Sequence, residues 1–151
     1  MKPEIMIHDL WVRIFFSIVC GLSIGLERQI RGKPVGIRTS ILICLGTMLF
    51  IFLGLEMDNG HESVRILGQV VTGVGFLGAG VIMNKEGLVS GVTSASVVWL
   101  LAGIGAAIGL ELFDVAVTIT GVALCVLIGA ESLETVFKIL QRGVHQHKKN
   151  E

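Results

Sequence analysis

Residues 94–130 read SASVVWLLAGIGAAIGLELFDVAVTITGVALCVLIGA, and their reading decides the fold. Two uncharged runs, 94–110 and 115–130, flank a short link that holds Glu111 and Asp114. A helix in water needs a polar stripe along its whole length, and neither run has one. In lipid the demand is the opposite: no water is present to bond the backbone, so such a run is stable as a helix that satisfies its own amides. Three further runs of the same kind occupy residues 14–26, 41–55 and 66–83.

A membrane-crossing helix needs about 20 apolar residues, with a range of about 17–25. The runs reach that length by taking in their flanks. The expected spans are 9–26, 39–55, 65–83, 94–110 and 113–130, all of them short. A thin local bilayer, snorkelling ends or tight packing accommodates short spans. Composition agrees: 52% of the residues are hydrophobic and 16% are charged, against about 25% charged in a soluble domain. The charges collect between the runs and in the tail. Arg13 sits too deep, and too many spans follow, for residues 9–26 to be a cleaved leader. Cys20 follows Val19 rather than a small residue, against a lipoprotein cleavage site.

Lys and Arg in the loops set the orientation. The first loop carries Arg28, Arg31, Lys33 and Arg38; the second Glu56, Asp58, Glu62 and Arg65; the third is a tight turn at residues 84–87. The fourth is acidic, and the tail holds Lys138, Arg142, Lys148 and Lys149. Basic and acidic loops alternate, which five spans satisfy. The expected fold is an all-α integral membrane bundle of five short helices, with the N-terminus outside and the C-terminus cytoplasmic. Residues 1–130 form the membrane domain. Residues 131–151 form a short basic tail, in which Leu133, Val136, Phe137 and Leu140 are spaced for an amphipathic helix on the inner leaflet.

Small residues recur at a four-residue step: Ser17, Gly21 and Gly25; Gly68, Thr72, Gly75 and Ala79; Gly103 and Ala107; Gly121, Cys125 and Gly129. Such faces let helices approach closely. Gly21, Gly25, Gly73, Gly75, Gly78 and Gly80 are the expected packing positions, either within the chain or across a homodimer.

Several chemistries are disfavoured. Residues 73–78 match G-x-G-x-x-G, but the fingerprint needs a preceding strand and a later acidic residue, and here it lies mid-span. The three cysteines fall inside apolar runs, without a C-x-x-C pair for zinc. His145 and His147 are two apart, so on a helix they point away from each other. Zero net charge gives no basic field for nucleic acid. Magnesium takes oxygen ligands, commonly one or two carboxylates with waters, yet every carboxylate lies at a span edge or near a terminus. No cofactor, no metal site and no enzymatic activity are expected.

The candidate functional residues are polar groups at span edges. Arg65, Gln69 and Thr72 share one helical face, and Arg13 lies at the same outer level. These arginines either serve a functional site or snorkel outwards to pair with Glu56, Asp58 or Glu62. Gln69 needs a partner, being an amide one turn inside lipid. At the inner edge stand Glu27, Arg28 and Arg38: Glu27 forms an ion-pair cluster with Arg31 or Arg38 that fixes the first loop, or the group binds a cytoplasmic anion or a partner protein, or it holds a cation.

Gly25-Leu26-Glu27-Arg28-Gln29, Arg31-Gly32 and Gly36-Ile37-Arg38-Thr39 are followed by Arg65, Gln69-Val70-Val71 and GVGFLGAG at 73–80. With Gly91-Val92-Thr93-Ser94-Ala95 and Trp99, this series resembles the MgtC/SapB membrane domain over roughly residues 10–130. Val35 and Ser94 are mild departures from its pattern. The resemblance implies a bacterial inner-membrane protein of five spans, active in growth under low magnesium and in survival inside host phagocytes. For some members it implies restraint of the F-type ATP synthase rather than transport. Many members carry a soluble C-terminal domain, expected to be lacking here.

The sequence therefore leads us to expect a regulator that binds another membrane component, a membrane protein complex in particular; a transporter or channel for magnesium or another small solute is the alternative. The first test is physical. The expressed chain should pellet with membranes and resist alkaline extraction. Recovery from the aqueous fraction without detergent would overturn the reading.

Overall fold

The computed structural model describes residues 3–57, 63–85 and 88–136. Five helices follow one another: α1 (Pro3–Ile30), α2 (Ile37–Met57), α3 (Ser63–Val81), α4 (Val92–Gly109) and α5 (Phe113–Val136). Between α3 and α4 runs an antiparallel ribbon of β1 (Met83–Lys85) and β2 (Leu88–Ser90), with Met83 opposite Ser90. The turn expected at residues 84–87 is thus the end of a hairpin, and Met83 belongs to a strand rather than to the third helix. Pairing satisfies backbone groups that lipid would leave without partners. Of the tail, residues 137–151, with the His145–His147 pair, lie outside the described residues.

The helix ends follow from local chemistry. Gly32, at φ 62°, closes α1 in a Schellman motif: its own N–H bonds the Gln29 carbonyl, and the Lys33 N–H bonds the Arg28 carbonyl. Pro34 follows and cannot continue the helix. The Gln29 side chain then reaches across to accept the Ile37 N–H, capping the start of α2. The end of α4 repeats the device without glycine. Glu111 takes the left-handed position at φ 64°, its N–H bonding the Ile108 carbonyl, while Leu112 bonds Ala107.

That choice of residue has a reason. The Glu111 carboxylate accepts from Arg13, whose guanidinium also donates to the Gly109 carbonyl and lies 5.0 Å from the centre of the Phe52 ring. Arg13 is buried, and Glu111 is exposed. The acid bonded to Arg13 is therefore Glu111 and not the expected Glu56; Asp58 and Glu62, the other expected partners, lie outside the described residues. Glu111 takes that place because the end of α4 packs beside the start of α1.

Four helices are long and apolar enough to cross a membrane: α1, α2, α4 and α5. The apolar part of α3, Arg65–Val81, is shorter. At about 1.5 Å per residue it spans roughly 25 Å. The core lies where α1, α2 and α4 meet, around Ile24, Met48, Ile51, Leu101, Ile104 and Ile108. α4 is the central helix, with 61% of its span buried, and α5 the peripheral one, with 17%.

Glycine decides the crossings. A Cβ on Gly25 would stand 2.7 Å from the Ile37 Cα, and one on Gly21 2.8 Å from the Ile41 Cα. On the other flank of α2, a Cβ on Gly105 would stand 2.5 Å from the Cys44 carbonyl oxygen. Of the expected packing positions, Gly21 and Gly25 carry the α1–α2 contact, and a Cβ on Gly78 would stand at ordinary contact distance, 3.6 Å, from the Ala95 carbonyl oxygen. A Cβ on Gly73, Gly75 or Gly80 would meet nothing within 4 Å.

Two predictions follow from these contacts. Gly25→Ala and Gly105→Ala should each lower stability in detergent by about 1–3 kcal/mol, the cost of overpacking. Gly73→Ala should leave it unchanged or slightly raised, because alanine is the better helix former by about 1 kcal/mol. Equal melting temperatures for all three variants would refute the crossing assignment. At the α4–α5 link, Glu111→Gly should be more stable than Glu111→Ala by about 1 kcal/mol. Both lose the carboxylate, and only alanine keeps the left-handed penalty.

Candidate functional site

At the end of the bundle away from Arg13, three segments meet: the close of α1, the β2–α4 junction and the last described turns of α5. They enclose a cleft of about 620 Å³. One wall is polar, with Glu27, Arg28, Arg31 and Lys33 facing Ser90, Thr93 and Ser94; the other is apolar, with Met83, Val89, Val92, Val126, Leu127 and Ala130.

Each polar group is placed by a local feature. Glu27 and Arg28 fall on the last helical turns of α1, before the Schellman close. Glu27 pairs with Arg31 one turn on, at 2.8 Å, and this leaves its Oε2 buried without a hydrogen-bond partner. Arg28 is 4% exposed. Its Nη2 donates to the Ser94 hydroxyl, and its Nε is buried without a partner. Of the ion pairs open to Glu27 in the sequence, the structure forms the one with Arg31.

Gly91 sets the opposite wall. It is the N-cap of α4, with φ 89° and no side-chain cap. A Cβ there would stand 2.2 Å from the Val81 carbonyl oxygen, so only glycine fits the junction. The first intrahelical bond of α4 runs from the Ala95 N–H to the Gly91 carbonyl. The amides of residues 92–94 therefore have no partner inside the helix, and no acidic residue stands in the first turn.

The other candidates lie elsewhere. Arg38 is exposed near the start of α2 and does not line the cleft. Arg65 and Gln69 are exposed on α3. Gln69 borders a lateral groove between α2 and α3, otherwise lined largely by apolar residues such as Leu42, Phe50 and Leu77. Arg13 serves the opposite end. The six polar candidates thus divide: Glu27 and Arg28 share one cleft, and Arg13, Arg38, Arg65 and Gln69 do not join it. Sequence reasoning missed Ser94 and Lys33 as members of that cleft. Ser94 was visible in the Gly91–Trp99 series, but nothing in its spacing shows that it meets Arg28.

Comparison with known proteins identifies the family. The model of the MgtC family matches residues 14–136. The chain is 36% identical over 140 residues to an Escherichia coli (strain K12) protein named "Putative magnesium transporter YhiD", covering 87% of this chain and 64% of that one. It is 35% identical over 125 residues to "Protein MgtC" of Salmonella typhimurium (strain 14028s), covering 83% of this chain and 54% of that one. The chain thus spans between about half and two thirds of the length of these relatives. No solved structure matches. Four helices long and apolar enough to cross a membrane among the described residues, and a family match over most of the sequence, lead to one conclusion: the chain is a multi-pass membrane protein that belongs to the MgtC family.

Proposed function

We propose that this chain is a non-enzymatic regulator of the bacterial inner membrane that acts by docking against another membrane protein, in adaptation to low magnesium or to life within a host. The observation that carries the reading is the outward face of the peripheral helices. A Cβ added at Gly68, Gly73, Gly75 or Gly80 on α3, or at Gly121 or Gly129 on α5, would meet nothing within 4 Å. On α5 these glycines line a shallow groove with Val117, Val122 and Val126. Lipid tails are as apolar as leucine, so association in the bilayer draws on close packing of small residues. Gly21 and Gly25 of α1 and Gly105 and Gly109 of α4 are spent on α2, whereas both glycines of α5 and all those of α3 except Gly78 leave room for a partner helix. The F-type ATP synthase, which the family resemblance names, is the partner we favour.

Transport is the second reading, supported by the name of the Escherichia coli relative. The electrostatics of the polar cleft work against a bare divalent cation there. Among the described residues the cations Arg28, Arg31 and Lys33 line it with one carboxylate, Glu27, which is already paired with Arg31.

One pair of measurements separates the two. Docking predicts that the tagged chain co-purifies with the ATP synthase from native membranes, and that Gly75→Leu or Gly121→Leu reduces recovery while protein level holds. It also predicts no magnesium flux when the purified chain is reconstituted in liposomes. Magnesium flux from the chain alone, with recovery unchanged in both leucine variants, would replace docking with transport.

A further inference from the structure

The polar cleft carries an inference that does not depend on the docking proposal. The N-terminus of a helix bears roughly half a positive charge and is stabilised by anions. α4 begins with no side-chain cap and no acid in its first turn. Instead a guanidinium faces it, because Arg28 donates to Ser94 on that first turn. Arg31, paired with Glu27, and Lys33 line the same cleft. A buried guanidinium is the wrong sign for the start of a helix, and an anion held between the two would correct it.

A second observation points to a ligand directly. Arg28 is 4% exposed and Glu27 is 9% exposed; both line the cleft, and each keeps one buried polar atom without a partner. The two atoms are complementary. Arg28 Nε is a donor in search of an acceptor, and Glu27 Oε2 is an acceptor in search of a donor. Leaving such groups unmet is destabilising, most of all where they are charged. The remaining polar groups suit tetrahedral oxygens: the unbonded amides of the first turn, as in other helix-terminus phosphate sites, and the hydroxyls of Ser90, Thr93 and Ser94.

We infer that the cleft formed by the end of α1 and the start of α4 is a binding site for a phosphate group that also carries a hydrogen-bond donor. The phosphate oxygens lie against Arg28 and the α4 amides, and the donor meets Glu27 Oε2. Two sources supply this chemistry. One is inorganic phosphate in its protonated form. The other is the headgroup of a phospholipid with an ammonium or hydroxyl group, such as phosphatidylethanolamine or phosphatidylglycerol. The apolar wall of Val126, Leu127 and Ala130 would accommodate the first carbons of an acyl chain.

The test uses the full chain purified in detergent. Binding of inorganic phosphate is measured by calorimetry. Retention of phosphatidylethanolamine, phosphatidylglycerol and phosphatidylcholine is measured by native mass spectrometry after passage through vesicles of each lipid. Binding of inorganic phosphate supports the site with a soluble ligand; retention of the first two lipids over phosphatidylcholine, which has no N–H or O–H donor, supports it with a lipid. In either case Arg28→Gln should weaken binding about tenfold, the loss of one charge-assisted hydrogen bond. Lys33→Gln should weaken it severalfold, and Arg38→Gln, outside the cleft, should leave it unchanged. Because Arg28 is buried and its variant could misfold, the exposed Lys33 keeps the test decisive. The proposal is overturned if neither phosphate nor lipid is retained, if Lys33→Gln and Arg38→Gln behave alike, or if phosphatidylcholine binds as tightly as phosphatidylethanolamine.

Discussion

α2 is gripped at backbone distance from both sides, and the rest of the bundle is arranged around that grip. Gly21 and Gly25 bring α1 onto the Ile37–Ile41 backbone, while Gly105 and Gly109 bring α4 onto the backbone or side chains of Cys44, Met48 and Ile51. In water, burial of apolar surface would drive such contacts. In lipid that force is absent, and packing at close range has to do the work. Missing Cβ atoms let main chains approach, and dispersion between many atom pairs accumulates. Ile24, Leu101, Ile104 and Ile108 then fill the space around the crossing. α3 meets the trio through side chains, Ile66 against Gly54 of α2 and Gly78 beside Ala95 of α4, and α5, whose glycines have no such contact, sits at the edge.

Both polar ends of the bundle come from the way helices stop. At one end α1 closes on Gly32, and its last turns deliver Glu27 and Arg28 beside the bare start of α4. At the other end α4 closes on Glu111, and that same residue receives the Arg13 guanidinium. The two arginines of α1 are both 4% exposed and have different surroundings. Arg13 has a carboxylate, a carbonyl and an aromatic ring around it. Arg28 has a neutral hydroxyl and an adjacent helix N-terminus. Each guanidinium keeps a buried Nε without a hydrogen-bond partner, so what sets the two apart is the counter-charge: a carboxylate bonds Arg13 directly, and a neutral hydroxyl bonds Arg28.

How far this was readable beforehand depends on the range of each interaction. The helices were legible because the apolar runs are uncharged over a whole span. The Glu27–Arg31 pair was legible because one helical turn separates the residues. Gly21 and Gly25 were legible as a small-residue face, and so were Gly73 and Gly75, yet only the first pair is covered. Spacing says which residues share a face; it does not say which face another helix takes. The hairpin at 83–90 was missed because its strands are three residues each, too short for a periodicity to register. The partners of Arg13 and Arg28 were missed because sequence separation, 98 and 66 positions, carries no local signal.

The Arg13–Glu111 pair also bears on how the chain is built. A ribosome adds roughly 5–20 residues per second, so about 5–20 s separate the synthesis of the arginine from that of its carboxylate. During that interval the near counter-charge of the guanidinium is Asp9, one turn earlier on α1. The buried seat made by Glu111, the Gly109 carbonyl and the Phe52 ring exists only once the α4–α5 link has been made. The first helix synthesised is thus completed by one of the last segments to leave the ribosome.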